Sequence, residues 1–287
     1  FRRVLFRSAE LKFAAPLQRV MASRRDYAGG KDPKAISTII ANYRLQYGRF
    51  LSLDYSAFDQ SISDWLIYDA FEIVRAAFDD PDDDLLRVIV SDFIHKNFVM
   101  ADGVYYAHKG VPSGSMFTQI IDSIVNVLMV RTYIHAMNIK GDMIVMGDDN
   151  LMYLSENVKV EHIASYITKN FGVKVNAEKT SFGPSTKDPE FLSRVWTNVG
   201  QRREPHVVIS KLLYPERFRD YRNVAVDPAM VLFAYCLTYP ITMWQVMDTD
   251  RFYEDYPHLK RSVVEELVDS RYLPGALRFI REYTGAA

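Results

Sequence analysis

The feature that most constrains the fold is an alternation of strand and helix patterns between residues 50 and 176. A short apolar run that ends at Asp54 is typical of a buried strand, and helical spacing follows it. The predicted elements are a strand at 50–54, helices at 64–78 and 85–97, a hairpin at 98–108, a helix at 115–137, two strands within 143–154, a helix at 158–170 and a strand at 173–176. This order predicts an α+β fold with a ferredoxin-like βαββαβ core.

Local signals place several element boundaries. Ser61 and Asp64 have the spacing of a capping box at the start of a helix, and Gly172 is a residue type that commonly ends one. The pair Asp102 and Gly103 is predicted to form the turn of the hairpin. From about Asp227 onward the pattern is mostly helical and rich in aromatic residues.

Composition excludes several classes of protein. Aromatic residues make up 13% of the chain, which is more than a disordered protein carries, and a single cysteine, Cys236, rules out an internal disulfide. The most apolar window, Met116–Val130, is shorter than the about 20 residues that span a bilayer. Because this window also contains Asp122 and Asn126, we predict an internal helix and no membrane segment.

The net charge of -1 conceals a strong separation of charge along the chain. Residues 1–49 carry eleven Lys or Arg against three Asp or Glu, and residues 50–84 carry ten Asp or Glu against one Arg. A basic arm of +8 is therefore followed by an acidic segment of -9. A nearly neutral total would argue against a nucleic-acid partner, but this separation is compatible with one when bound cations neutralise part of the acidic segment.

Two aspartate motifs indicate metal-dependent chemistry. Asp54 ends the first strand and Asp59 follows it, while Gly147, Asp148 and Asp149 lie between two predicted strands. Adjacent carboxylates serve one site only at a tight turn, which the glycine permits. Each motif alone is also compatible with an ordinary surface turn. Together, the carboxylates at 54 and 148 offer the oxygen ligands that Mg²⁺ prefers when phosphates complete its shell.

A third motif is the glycine- and serine-rich loop Gly110–Ser115, which leads into the long apolar helix. Its backbone N–H groups and hydroxyls are suited to binding phosphate or ribose. Thr118, Asp122 and Asn126 follow at steps of four and therefore share one face of that helix. Since the other faces carry Ile and Val, we predict that this polar face points into a site and not into solvent.

In this order, the motifs resemble motifs A to E of viral RNA-directed RNA polymerases. The matching residues are Asp54-x4-Asp59, Ser113-Gly114-x3-Thr118, Gly147-Asp148-Asp149, Lys179 and Phe191-Leu192-Ser193-Arg194. The phrases DYSAFDQSISDWL and GVPSGSMFTQIIDSIVN are most similar to picobirnavirus and partitivirus polymerases. The resemblance covers about Asp26 to Arg194 and implies a right-hand polymerase palm.

The resemblance also implies a role for each motif residue. Asp54 and Asp148 would bind two Mg²⁺ ions, which Mn²⁺ can replace, with Asp149 in support. Lys179 would protonate pyrophosphate, and Arg194 would grip the primer strand. The residues implied to surround the nucleotide and its ribose are Asp59, Ser113, Gly114, Thr118, Asp122 and Asn126. The aspartate at 122 departs from the commonest pattern, which has asparagine at that position.

We predict three domains: residual fingers or a basic arm at 1–49, the palm at 50–200 and a helical thumb portion at 201–287. Most of the fingers domain is expected to be missing, and residues 1–10 are expected to lie outside the native fold. The implied partners are RNA template and product, ribonucleoside triphosphates, and capsid or other viral proteins. The host cytoplasm or the virus particle is the expected location, since nothing indicates secretion.

Three alternative functions remain open. A reverse transcriptase has the same palm, but that class tends to carry a bulky aromatic residue where this chain has Asp59. A catalytically incomplete RNA-binding fragment would explain the missing fingers. A non-templated nucleotidyltransferase or cyclase on the same ferredoxin-like core is the third alternative, and template dependence would separate it from a polymerase.

Overall fold

The structure of the chain is a computed structural model that describes residues 2–106, 109–197, 200–204, 206–208 and 210. Two compact units divide the chain, Phe1–Leu192 and Ser193–Ala287, and each is described by itself. The helices of the first unit are α1 Arg2–Ser23, α2 Pro33–Gln46, α3 Phe58–Ser61, α4 Asp64–Arg75, α5 Asp84–Ile94, α6 Thr118–Ala136 and α7 Val160–Phe171. Its strands are β1 Arg49–Ser52, β2 Asn97–Met100, β3 Gly103–Tyr106, β4 Gly141–Met146, β5 Asp149–Leu154, β6 Ser181–Pro184 and β7 Glu190–Phe191.

The central feature of the first unit is a four-stranded sheet in the order β4-β5-β1-β6. All three neighbouring pairs are antiparallel. Together with α6 and α7, which pack against each other, these strands form the ferredoxin-like βαββαβ core, so the predicted fold class is confirmed. The topology places β1 between β5 and β6, and it brings the end of β1 beside the turn that joins β4 to β5.

The predicted strand at 173–176 is wrong. That segment forms only an isolated bridge between Val175 and Tyr55, whereas the fourth strand of the sheet is β6 at Ser181–Pro184. Val173 and Val175 favoured a strand locally, but the segment that pairs with β1 lies further along the chain. Pro184 is compatible with this position because β6 is an edge strand.

Helix α6 crosses the middle of the unit and is buried on almost all sides. Its apolar residues Ile121, Val125 and Met129 are fully buried, as periodicity predicts, and Asp122 and Asn126 are buried with them. The polar face of this helix therefore points into protein and not into solvent. In the part of the chain that the structure describes, no helix is both long enough and apolar enough to cross a bilayer.

Helix α4 begins at Asp64 as predicted, but its cap differs from the prediction. Ser63 is the N-cap residue and makes no capping hydrogen bond through its side chain, while the hydroxyl of Ser61 donates to the carbonyl of Phe58. The predicted capping box is therefore wrong, because the short helix α3 engages Ser61 first. At the end of α7, Gly172 adopts a left-handed conformation (φ +74°) and closes the helix as predicted.

Residues 79–83 of the acidic segment lie in the loop between α4 and α5, as the composition indicates, and Asp84 is the first residue of α5. Asp83 caps α5 by accepting hydrogen bonds from the backbone N–H groups of Leu85 and Leu86. Arg75 reaches this loop and pairs with Asp82 at 2.7 Å. Much of the charge in this segment therefore stabilises helix ends and has no direct contact with the sheet.

The expectation that residues 1–10 lie outside the native fold is wrong for the end of that segment. Residues 2–10 belong to α1, and Glu10 is only 1% exposed. Phe13 of the same helix packs edge-to-face against Phe78, with ring centroids 5.5 Å apart, and Ala14 is fully buried. Helix α1 is therefore an integral part of the first unit.

The described part of the second unit is an antiparallel pair, β8 (Arg194–Thr197) and β9 (Gly200–Arg202). Within this pair, the Arg194 guanidinium donates to the side-chain oxygen of Gln201. The predicted helical thumb at 201–287 lies mostly outside the described residues, and the three predicted domain boundaries stay predictions.

Candidate active site

The Gly147-Asp148 turn is a two-residue hairpin between β4 and β5. Met146 pairs with Asp149 across it, and Gly147 has φ +64°, which an L-amino acid rarely adopts. The glycine therefore permits the tight reversal that the sequence predicted. Both carboxylates at the turn are exposed, so ligands can reach them.

Asn150 joins this turn to the segment that follows β1. Its side chain is fully buried and pairs with the backbone of Leu53, accepting from the N–H at 3.0 Å and donating to the carbonyl at 3.2 Å. The same amide group donates to the carbonyl of Asp148 at 3.4 Å. Since Leu53 precedes Asp54, one buried amide links the backbone beside Asp54 to that of Asp148.

Helix α6 holds the turn from the other side. The buried Asn126 amide nitrogen donates to the carbonyls of Gly147 and Asp148, at 3.0 and 2.9 Å. Its oxygen accepts from the Tyr55 hydroxyl at 3.0 Å, and the Ser123 hydroxyl accepts from the N–H of Gly147 at 2.8 Å. Four hydrogen bonds therefore connect α6, the turn and the residue after Asp54 into one buried network.

Asp54 is anchored by the segment that contains Lys179. The backbone carbonyl of Asp54 accepts from the N–H of Asn176 at 2.7 Å, and its N–H donates to the Thr180 hydroxyl at 3.3 Å. Lys179 is exposed, and its backbone N–H donates to the Asn176 side chain at 3.4 Å. The ammonium group of Lys179 therefore belongs to the residue next to Thr180, whose hydroxyl bonds the backbone of Asp54.

Five carboxylates are concentrated in this region, at positions 54, 59, 122, 148 and 149. Burial, followed by the charges of Asp59 and Asp148, raises the pKa of Asp122 to about 8. Burial raises the pKa of Asp59 as well, with the charge of Asp148 as a second cause. The pKa of Asp149 is raised to about 6, first by desolvation of its carboxyl and then by the charges of Asp148, Asp54 and Glu190. These side chains therefore share one strongly negative field.

The carboxylate cluster is chemically suited to a hard divalent cation. Among the residues that the structure describes, none of the five carboxylates forms an ion pair with Lys, Arg or His. No ion-paired cation of the described residues therefore offsets the repulsion between them. The described residues also contain no group of three acidic, His or Cys side chains that would hold an ion alone. Two aspartates completed by substrate phosphates are the donor set that Mg²⁺ accepts.

The glycine-rich loop lies against the segment that carries Asp59. The N–H of Gly110 donates to the carbonyl of Ile62, and the N–H of Val111 donates to that of Asp59, both at 2.6 Å. A Cβ atom at Gly110 would lie 2.7 Å from the Asp59 carbonyl oxygen, so only glycine fits this approach. Further along, the Thr118 hydroxyl donates to the carbonyl of Pro112 at 2.7 Å and closes the loop onto the start of α6.

The structure brings most of the predicted site residues into one region. Electrostatic repulsion couples the five carboxylates at positions 54, 59, 122, 148 and 149. Asn126 contacts the turn directly, and the loop that carries Ser113 and Gly114 adjoins Asp59. Lys179 follows in the segment bonded to Asp54, whereas Arg194 belongs to the second unit. The chemical roles assigned to all these residues stay predictions.

Sequence reasoning missed the residues that hold the site together. Asn150, Ser123, Tyr55 and Thr180 were not singled out, although each bonds the backbone or side chain of a predicted site residue or its neighbour. One signal was available for Asn150, because an asparagine inside an otherwise apolar strand needs a buried partner. The other partners lie far away in sequence, and no local pattern marks them.

A ferredoxin-like sheet with aspartates at a central hairpin turn and beyond the neighbouring strand, flanked by a glycine-rich loop, defines the palm of the nucleotidyl-transferring polymerases. The chain belongs to the viral RNA-dependent RNA polymerase family, whose model matches residues 11–217. Among solved structures, it is similar to the RNA-dependent RNA polymerase of a human picobirnavirus, with a TM-score of 0.72 and 16% identity over 98% of this chain and 54% of that one.

Curated relatives agree with this family. The chain is 26% identical over 158 residues to the RNA-directed RNA polymerase of Cryptosporidium parvum virus 1, covering 52% of this chain and 30% of that protein. It is also 30% identical over 147 residues to the genome polyprotein of human parechovirus 2, covering 50% of this chain and 7% of the polyprotein. The chain thus spans well under half of these relatives. The resemblance to picobirnavirus and partitivirus polymerases is confirmed.

Proposed function

We propose that this chain is the palm-containing part of an RNA-directed RNA polymerase, which adds ribonucleotides to the 3′-OH of an RNA strand on an RNA template. The observation that carries the proposal is the buried network around Asn150 and Asn126. It links the Asp148 turn to the backbone beside Asp54. A site for two-metal chemistry needs carboxylates held in a fixed relation, and these amides supply it.

In this proposal Asp54 and Asp148 hold the Mg²⁺ ions, and Asp149 supports them. When bound, the metal ions would neutralise the charge that develops on the phosphate oxygens. The chain's own residues orient the substrate. Asp59 accepts a hydrogen bond from the ribose 2′-OH, and the exposed ammonium group of Lys179 donates a proton to the departing pyrophosphate. The loop that carries Ser113 and Gly114 supplies hydroxyl and N–H groups to the nucleotide.

Asp59 favours an RNA polymerase over a reverse transcriptase. Its carboxyl is half-buried beside the other aspartates and the loop, where an acceptor for a 2′-OH is needed. A bulky aromatic side chain at this position would exclude the ribose hydroxyl, and this chain carries none. In this proposal, Asp59 admits a ribonucleotide at the place where the other class has a steric block.

The test is primer extension by the purified 287-residue chain with Mg²⁺ or Mn²⁺, an RNA template and all four ribonucleotides. We expect products whose sequence is complementary to the template. Products that form equally well without template would favour a non-templated transferase. A chain that binds RNA with steep salt dependence but never extends a primer would instead favour a catalytically incomplete RNA-binding fragment.

A further inference from the structure

Glu10 is the least exposed acidic residue in the part of the chain that the structure describes, with 1% of the residue exposed. It lies in α1, more than 100 residues away from its partners in sequence. It accepts a short hydrogen bond from the Ser115 hydroxyl and a second one, at 3.1 Å, from the backbone N–H of Met116. A buried carboxylate is costly unless it is paired in this way, so these contacts are strongly favoured.

The two partners of Glu10 belong to the loop just before α6. The Ser115 hydroxyl also accepts from the N–H of Phe117 at 3.1 Å, which extends the chain of hydrogen bonds to the residue before the helix. Thr118, the first residue of α6, closes back onto Pro112. Glu10 therefore pins the second half of the loop, and the start of the helix that carries Asp122 and Asn126.

Between its other anchors, at residues 110–111 and at Thr118, the loop has features that allow movement. Gly110 and Gly114 both have left-handed backbone conformations, with φ of +82° and +92°, and residues 113 and 114 are exposed. A cleft of about 280 Å³ lies between the loop, α1 and α5, so the loop is not packed tightly on that side. Hydrogen bonds that the Glu10 carboxylate accepts therefore restrain a loop whose glycines allow movement.

We infer that Glu10 is a positioning residue, which fixes the conformation of loop 110–117 for nucleotide binding through Ser115 and the N–H of Met116. The nucleotide part of this inference rests on the proposed function. Glu10 itself touches neither substrate nor metal in this account, and it acts only through the loop. Because Glu10 lies in α1, the inference also assigns this helix a role in the site, although α1 contains none of the palm motifs.

The primary test is amide hydrogen exchange of the 287-residue chain. Glu10→Gln keeps the size of the side chain but loses its charge and one acceptor, and Ser115→Ala removes the hydroxyl donor. We expect each substitution to speed exchange at residues 115–118 at least tenfold, with the amides of α4 and the second half of α6 unchanged. Glu161→Gln, at an exposed position in the first turn of α7, is the matched control and leaves the loop unchanged.

The two variants also separate positioning from general stability. Unchanged exchange at 115–118 in either variant overturns the inference, and so does acceleration spread evenly over the whole unit. If Glu10→Gln does not fold, Ser115→Ala still decides the question. In primer extension, Glu10→Gln is expected to raise the KM for ribonucleotides several-fold with a smaller change in kcat. A wild-type chain without extension activity refutes the proposed function but leaves the exchange result as the test of Glu10.

Discussion

At the residue scale, Asp122 shows how burial beside other carboxylates changes the protonation of a side chain. One of its carboxyl oxygens is buried and has no hydrogen-bond partner among the described residues, and the residue is 4% exposed. Asparagine, which the commonest polymerase pattern has at this position, carries no charge. With its pKa raised to about 8, Asp122 is mostly protonated at neutral pH and also carries no charge, so the departure from the pattern is smaller than it looks.

This pKa predicts a pH-dependent difference in stability between the wild type and Asp122→Asn. The raised pKa means that the folded state binds a proton which the unfolded state releases near pH 4. The carboxyl therefore contributes stability below pH 4 and loses it as the pH rises towards 8. Asp122→Asn does not titrate, so its advantage should grow by about 2–4 kcal/mol between pH 5 and 8, at about 1.4 kcal/mol per unit.

The measurement is chemical denaturation of both proteins at a series of pH values, without divalent cations. Asp69→Asn, at an exposed position of α4, is the control and should follow the wild type at every pH. A constant difference between Asp122→Asn and the wild type from pH 5 to pH 8 would show that Asp122 is ionised throughout.

Asp59 is predicted to set the preference for ribonucleotides. Its backbone carbonyl holds the loop, and that contact survives substitution of the side chain. Asp59→Ala should lower the ratio of kcat/KM for a ribonucleotide over the matching deoxynucleotide by about tenfold, which is the loss of one hydrogen bond of about 1.5 kcal/mol. Single-nucleotide incorporation measures the ratio, with Asp69→Ala as the exposed control. An unchanged ratio would remove Asp59 from ribose recognition.

The contacts of Asn150 and Glu10 explain why sequence reasoning found the motif aspartates but not the residues that support them. The aspartates stand in short motifs with characteristic spacing. Asn150 and Leu53, by contrast, are 97 residues apart, and Glu10 and Ser115 are 105 residues apart. Such pairs form only after the sheet and helices have assembled, so no window of the sequence contains both partners.

At the element scale, hydrophobic periodicity between residues 50 and 176 predicted helices α4 to α7 and the hairpins within about three residues. It did not predict α1, α2 or α3, and it failed where strand pairing decided the outcome. Segment 173–176 has the β-branched residues of a strand, but the place beside β1 is occupied by β6, which contains Gly183 and Pro184. Backbone pairing with β1 outweighs the poor strand propensity of β6. Glycine also suits this position, because a Cβ atom at Gly183 would lie 3.2 Å from the Phe50 ring. Local propensity therefore carries little weight at this edge of the sheet.

The loop before α6 gives a prediction at the same scale. Gly110→Ala combines a left-handed backbone with a Cβ that would lie 2.7 Å from the Asp59 carbonyl oxygen. Gly172→Ala is the matched control, because Gly172 is also left-handed but has nothing within 4 Å of the added atom. Both variants should lose roughly 1 kcal/mol from the backbone, and Gly110→Ala should lose at least about 1 kcal/mol more.

Denaturant titration of the three proteins measures this difference. Equal loss in both alanine variants would mean that the loop can move away from Asp59 at no cost. In that case the close approach of the loop to the α3 segment would not be a fixed feature of the site.

At the scale of the whole molecule, the net charge of -1 is the sum of parts with different tasks. Within the acidic segment, Asp82 and Asp83 contact Arg75, Arg87, Lys12 and the N-terminus of α5. Asp54 and Asp59 have no ion-pair partner among the described residues, and they face the turn that carries Asp148. The sequence predicted the separation of charge. The structure distinguishes the carboxylates that form ion pairs or cap a helix from those that have no ion-pair partner among the described residues.

The central claim is that Asp148 is held beside Asp54 to bind catalytic metal, and Asp148→Asn tests it most directly. The substitution removes charge but leaves the backbone carbonyl that Asn126 and Asn150 contact, so the protein should fold. Its thermal stability should equal or exceed that of the wild type, because repulsion among the carboxylates falls. In primer extension with Mg²⁺, the account predicts at least a thousandfold loss of nucleotide incorporation. A variant that folds normally and incorporates ribonucleotides at the wild-type rate would contradict the account.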